Sequence, residues 1–224
     1  MRERYIGDRN GIIATRTIGT LSSAQSLLYA DGVLLSNLLG NSFAYSPRWG
    51  MVSPEEIESI SMLYGPFSAL YAGNSFGGVM SIYTKMPQKL EVHASLQAFQ
   101  QNFELYGTDK SYNGQHLTGS FGDKVGDFSF LVTADHLENK GQPMNFWLST
   151  TPSAVAGGAA VTGAYTDKSE KNQDRVVFGA NSIDDTRQDQ VKSKVAYDIT
   201  PEIKAAYTLG LWDFDTKNDV QSYI

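Results

Sequence analysis

After Pro87 the chain alternates apolar and polar residues, and it does so in five separate runs. In the first, Leu90, Val92, Ala94, Leu96 and Ala98 share one parity. Glu91, His93, Ser95, Gln97 and Gln101 share the other, with Phe99 intruding. The second sets Leu117, Gly119 and Phe121 against His116, Thr118 and Ser120. The third sets Phe128, Phe130, Val132 and Ala134 against Ser129, Thr133 and Asp135, with Leu131 the exception. The fourth sets Val191, Val195, Tyr197 and Ile199 against Lys192, Lys194 and Asp198. The fifth sets Ile203, Ala205, Tyr207, Leu209 and Leu211 against Lys204, Ala206, Thr208 and Gly210. Successive side chains of a strand point to opposite faces, so each run predicts a strand with one apolar face. Each is about as long as the ~9–11 residues that cross a bilayer as a tilted strand.

The links between runs alternate in length. Gly122–Asp127 and Thr200–Glu202 are short, whereas residues 107–113 and roughly 139–189 are read as longer links, the second rich in Gly, Ala, Thr and Asp. Short turns on one side and long loops on the other are the asymmetry of membrane β-barrels. Phe121, Phe128 and Tyr197 flank the short turns on the apolar parity, as an aromatic girdle does. Trp212 and Phe214 fall on the polar parity, so either they face a lumen or a bulge shifts the phase. Alternation alone is equally compatible with the core of a soluble sandwich.

Composition narrows the function. The 224 residues carry a formal net charge of -6, which disfavours nucleic acid as a partner. With no cysteine there is no disulfide framework, thiolate metal site or cysteine nucleophile. No apolar run is long enough for a transmembrane helix, and the mean hydropathy of -0.29 fits a soluble protein or a β-barrel alike. His93, His116 and His136 lie on different predicted strands without the spacing of a helical metal site. Asp184-Asp185 and Asp213, Asp215 and Asp219 are read as solvated loop charge. Gly73–Gly78 lacks the Gly-Lys-Ser/Thr ending of a phosphate loop, and no G-x-S-x-G elbow occurs. The chemistry expected is binding and passage, not bond breaking, with no cofactor and no metal.

Residues 1–88 read differently. Gly11–Ile18 and Ser26–Leu35 predict short strands, the second broken by a buried turn at Asp31-Gly32. Residues 38–52 form an aromatic loop carrying Phe43, Tyr45, Arg48 and Trp49, a candidate binding element. Ser53, Pro54 and Glu56 form a capping box that predicts a helix over Pro54–Ser59, and the carboxylates at 55 and 56 suit its N-terminal dipole. Ile57–Lys85 then packs two apolar strands around Gly65-Pro66, one helical turn and a glycine cluster. Pro66 can begin that turn, Gly73 suits its left-handed end, and Gly77-Gly78 lets two backbones approach closely.

The segment I-E-S-I-S-M-L-Y-G-P-F-S-A-L-Y-A-G-N-S-F-G-G-V-M-S-I-Y-T-K at 57–85 resembles the end of the plug domain of TonB-dependent outer-membrane receptors. Asp31-Gly32 with its apolar flanks resembles a second plug element in the right order. Ser61 stands where the family usually has Glu, and Tyr64 where it usually has Arg. The family's charged latch between plug and barrel is thus missing at these positions. The resemblance implies a partial plug (1–88, mixed α+β) followed by the start of an antiparallel transmembrane β-barrel (89–224). This would be an incomplete barrel of about 22 strands. Met1 is followed by Arg-Glu-Arg-Tyr with no apolar stretch, so the expectation is a piece whose signal peptide and TonB box lie outside it. The resemblance further implies a Gram-negative outer-membrane location, lipid contact, and active uptake of a scarce solute, a ferric siderophore first. The energy would come from the TonB-ExbB-ExbD complex. It also sets the loops around 19–25 and 41–49 at the plug apex, with Gln25, Asn41, Phe43, Tyr45, Arg48 and Trp49 as ligand-binding residues. Asp31, Gly32, Gly65, Pro66, Gly73, Gly77 and Gly78 would be structural. The alternatives are a surface β-rich recognition module of lectin or adhesin type and a passive porin.

Overall fold

A computed structural model describes residues 4–8, 10–15, 19, 22–64, 70–71, 73–153 and 155–221. Its first half contains β1 (Ser26–Ala30), β2 (Val33–Leu34), β3 (Ile57–Leu63) and β4 (Gly78–Thr84), in the sheet order β2-β1-β4-β3. β1 runs parallel to β4, with Leu28 beside Met80, and β3 runs antiparallel to β4. Ile13, Leu28, Ala30, Leu35, Val52 and Ile82 form the core, with Trp49, Met51, Ile57 and Met80 packed against it. Each fully buried leucine here contributes about 1.5–3 kcal/mol.

Two glycine positions have a geometric reason. Asp31 (φ 46°) and Gly32 (φ 83°) are both left-handed, as a two-residue hairpin turn between β1 and β2 requires. Gly78 has φ 121°, and a Cβ there would lie 2.6 Å from the Leu63 carbonyl oxygen, so only glycine lets β3 and β4 meet at that point.

Several expectations for this half are corrected. The Asp31-Gly32 turn is exposed, not buried. Among the described residues, Gly11–Thr15 form no strand beyond one bridging residue, Ile12. The helix expected over Pro54–Ser59 is a single 3-10 turn, Pro54–Glu56, and β3 begins at Ile57. The cap is present, since Ser53 N donates to Glu56 Oε1 at 2.7 Å. Pairing of Ile57–Leu63 with β4 outweighs the local helix signal. Gly65, Pro66 and residues 67–69 of the expected helical turn lie outside the described residues, while Leu70 and Tyr71 form a turn and a bend.

The second half holds β5 (Glu91–Leu105), β6 (Thr108–Val125), β7 (Phe128–Lys140), β8 (Phe146–Ser149), β9 (Tyr165–Lys168), β10 (Asp174–Ala180), β11 (Ser182–Thr200) and β12 (Ile203–Val220). All five alternating runs are strands of one antiparallel sheet, ordered β12-β11-β7-β6-β5. The strands are longer than their alternating parts. Residues 107–113 are not a link: β5 and β6 join through a two-residue turn at Tyr106-Gly107, both left-handed. The link read over 139–189 shrinks to the stretch between Lys140 and Ser182 and carries its own three-stranded sheet, β8-β10-β9. Asp184 and Asp185 lie in β11, and Asp213, Asp215 and Asp219 in β12, so neither acidic cluster is in a loop.

Burial on the five-stranded sheet is inverted relative to a soluble sandwich. On β7 the polar parity is buried, Ser129 and Thr133 each at 1% exposure, together with Asp135 and Asn139. On the other face Phe128 is 43% exposed and Val132 39%. Leu131, out of phase in the sequence, is buried on the polar face. The buried face is the one that packs on residues 4–88. A sheet with polar groups against protein and apolar groups outside is built for an apolar solvent. The sheet is open, with β5 and β12 at its edges, as the strands of a partial barrel are. Register from Ser182↔Val220 to Asp198↔Lys204 is unbroken and pairs Trp212 with Gln190 and Phe214 with Gln188. Both aromatics therefore face inward, and no bulge shifts them.

Candidate functional site

The inward face of β11 meets the smaller sheet through two lysines. Lys192 and Lys194 are two residues apart and so share a face. Lys192 Nζ donates to Glu56 Oε1 at 2.5 Å and to the Met51 carbonyl at 2.9 Å. Lys194 Nζ donates to Asp31 Oδ2 at 3.1 Å, to the Thr84 carbonyl at 3.1 Å and to Thr84 Oγ1 at 2.7 Å. Asp31 in turn accepts from the Thr84 amide at 2.9 Å and from its hydroxyl. Lys85 N donates to the Glu56 carbonyl. Together these contacts clamp the exit of β4, where the chain leaves for β5.

The two carboxylates respond to their surroundings in opposite directions. Glu56 has a side chain only 1% exposed, and burial raises its pKa against the opposing pull of Lys192 and the Ser53 amide. Burial would also raise Asp31, but hydrogen bonds from Thr84 and Lys194 and the lysine's charge outweigh it and hold its carboxyl below the ordinary range.

Farther up the same seam, Arg4 makes a two-pronged contact with Asp8 (2.9 and 3.0 Å) and reaches Asp184 at 3.2 Å. Ile6 N donates to Gln101 Oε1, and Asn139 Nδ2 donates to the Ile6 carbonyl. Thr118 Oγ1 donates to Glu55 Oε1 at 2.7 Å. His116 pairs with Asp135 at 2.6 Å inside the seam, while His136 pairs with Asp189 at 2.6 Å on the outward face. Among the described residues no group of acidic or histidine side chains could hold a metal ion.

The loop residues singled out from the sequence fall into two groups. Gln25 ends a 3-10 turn, Ser23–Gln25, and its carbonyl accepts from Gly77 N at 2.7 Å. Asn41 Oδ1 accepts from Ala24 N at 3.0 Å, which brings that turn beside the turn Phe43–Tyr45. The Tyr45 ring lies against Gly40, where a Cβ would come within 2.5 Å of it. Arg48 and Trp49 stand apart from these. Arg48 is exposed, while the Trp49 indole donates to the Gly11 carbonyl and its ring packs on the core. Lys192 and Lys194 were read from the sequence only as the polar parity of a strand, and Glu56 only as part of a helix cap, not as site residues. The available signal was a pair of cations on the lumen parity, which need anions opposite them.

Residues 5–79 match the TonB-dependent Receptor Plug Domain family. This match and the structural likenesses below support reading the chain as a fragment of a TonB-dependent receptor. No curated protein matches it. Among solved structures it is similar to a point mutant of the ferric enterobactin receptor of Pseudomonas aeruginosa in complex with enterobactin, at 16% identity and TM-score 0.60. It is similar also to that receptor in complex with BCV-L6, at 17% identity and TM-score 0.60. Each match covers 96% of this chain and 28% of the receptor chain, so the chain spans under a third of its solved relatives' length. Ser61 lies within β3 and Tyr64 just after it, and among the described residues charged contacts between the first half and the long strands include Glu56–Lys192, Asp31–Lys194 and Arg4–Asp184.

Proposed function

We propose that the complete receptor resides in the outer membrane of a Gram-negative bacterium and takes up a scarce external solute, a ferric siderophore, using energy from TonB-ExbB-ExbD. The division of labour is a plug over 1–88 and barrel from 89 onward, with no catalytic step. The observation that carries this reading is the inverted sheet: apolar residues outside, polar residues inside, and a small folded unit seated on the polar face. A passive porin needs no such unit, and a soluble lectin-like module would bury the opposite parity. Support for the cargo comes from the similar solved receptor, described as a ferric enterobactin receptor. Ligand contact is assigned to Gln25, Asn41, Phe43, Tyr45, Arg48 and Trp49. Of these, Arg48 offers an exposed cation suited to an anionic chelate.

The test uses the full-length receptor and a panel of ferric siderophores, haem and cobalamin. Binding of at least one ferric siderophore, weakened by Arg48→Ala at unchanged receptor level, is expected. Binding confined to haem or cobalamin would replace the cargo. Unchanged siderophore affinity in Arg48→Ala would remove that residue from the site.

A further inference from the structure

Asp31-Gly32 is the one Asp-Gly pair in the chain, and it forms the exposed turn between β1 and β2. Such a pair can rearrange without enzyme or cofactor. The glycine nitrogen attacks the side-chain carboxyl carbon of the aspartate. A new N–C bond forms as the C–OH bond breaks, and the amide proton leaves with the hydroxide as water. The product is a cyclic succinimide. Water then opens the ring, and opening at the main-chain carbonyl leaves an isoaspartate, with the backbone running through the former side chain. Glycine favours the attack because no side chain shields its nitrogen.

Part of what this reaction needs is in place. Asp31 and Gly32 lie beyond the ladder, which ends at Ala30↔Val33. Space beside the turn is open, since a Cβ at Gly32 would meet no atom within 4 Å. The rest is withheld. The carboxyl must swing toward the Gly32 nitrogen, and it must carry a proton so that its oxygen can leave as water. Asp31 Oδ1 accepts from the Thr84 amide at 2.9 Å. Oδ2 accepts from the Thr84 hydroxyl and from Lys194 Nζ, the latter at 3.1 Å. Both oxygens are thereby drawn away from the turn, toward β4 and β11. Burial alone would favour the protonated acid, but the bonds from Thr84 and Lys194 outweigh it and keep the carboxyl ionised. One of these partners belongs to the other sheet, 163 positions away in the chain.

We propose that Asp31 is an isoaspartate-forming modification site that Thr84 and Lys194 hold shut, and that it opens when the turn parts from β11. The product undoes the contact that restrained it. Isomerisation adds a methylene to the backbone of a turn whose two residues are both left-handed, and it leaves the carboxylate directly on the Cα, short of Lys194. The inference needs only the seam between the two sheets and holds whatever solute the receptor carries.

The chain carries its own control. Asn113-Gly114 can close the same ring, with ammonia leaving in place of water. It lies inside β6, where Asn113 pairs with Gln100 and Gly114 with Phe99 and Asn139, and the Phe99 ring fills the space beside Gly114. That pair reacts only when β6 itself comes apart. The full receptor and its Lys194→Met variant are aged at neutral pH in water enriched in heavy oxygen, which marks each ring opening. Mass spectrometry with electron-transfer fragmentation then separates isoaspartate from aspartate in the peptides around 31 and 113. Lys194→Met should raise isoaspartate at 31 severalfold and leave 113 unchanged. A synthetic peptide of residues 26–35, which has neither Thr84 nor Lys194, should isomerise faster than the unsubstituted receptor. An unchanged level at 31 in the variant overturns the restraint by Lys194. A parallel rise at 113 traces the reaction to general unfolding and overturns it too. A receptor that isomerises as fast as the peptide has no closed site, and the proposal falls.

Discussion

Lys192 Nζ lies 2.5 Å from Glu56 Oε1, across the seam between a barrel strand and the plug, and the two residues are 136 positions apart in the chain. Their side chains are 11% and 1% exposed, so neither charge can turn to bulk water without its partner. Breaking such a pair from one side leaves an uncompensated buried charge and costs about 3–5 kcal/mol. Replacing both sides costs far less. Lys192→Met in the full receptor should therefore lower stability by about that amount in denaturant unfolding. Lys192→Met combined with Glu56→Gln should recover most of it. Equal losses in the single and double variants would mean that the pair does not act as a unit.

Asp31 and Glu56 should make the seam respond to pH with opposite signs. Asp31 is held below the ordinary carboxylate range, so its contribution is present above the unfolded value of about 3.9 and is lost as pH falls through its folded value. Glu56 is raised, so its contribution is full below the unfolded value and is lost as pH rises through the folded one. The stability gap between the unsubstituted receptor and Asp31→Asn should be widest near neutral pH and should close as pH drops toward 3, read by thermal unfolding across that range. A gap that widens on acidification would reverse the sign assigned to Asp31.

Leu209 faces outward beside Ser193, and Thr208 faces inward beside Lys194. In the full receptor Leu209→Arg should cost about 2–4 kcal/mol if it lies near the midplane. Thr208→Arg should cost much less, because it faces a polar lumen. Folding yield into vesicles distinguishes them, and equal losses would reject the face assignment.

Protease added to intact cells should cut the link between β7 and β11 first, but not uniformly. Residues of β8, β9 and β10 are paired in a sheet, whereas 155–160 and 170–173 are exposed turns between those strands. Cleavage sites mapped by mass spectrometry should fall in these turns. Cuts only after the outer membrane is opened would invert the orientation of the strands.

The sequence by itself determined the elements whose causes are local. Period-two alternation predicted all five barrel strands and the shared face of Leu209 and Leu211. Asp31-Gly32 specified a hairpin turn, because a two-residue turn needs left-handed residues. Gly78 marked a close backbone approach. The alternation faded above Ala98, Leu117 and Leu211, and so did the legibility of the strands. There both faces meet polar surroundings, and nothing selects for an apolar parity.

What only the tertiary structure decided are the matters settled by partners far away in sequence. Ser53-Pro54-Glu55-Glu56 carries a helix start, yet Ile57 enters a strand because β4 offers backbone pairing for Ile57 and for Ser59–Leu63, with a register shift at Glu58. Which parity of β7 is buried was open in the sequence; the structure buries Thr133 and Asn139, and Asn139 donates to the Ile6 carbonyl. Glu56, read as a dipole-complementing charge, is the buried partner of Lys192. Alternation reports that two faces differ in polarity, but the solvent each face meets depends on what packs against it. An ion pair depends on two side chains arriving at one point in space, and no local pattern records that meeting.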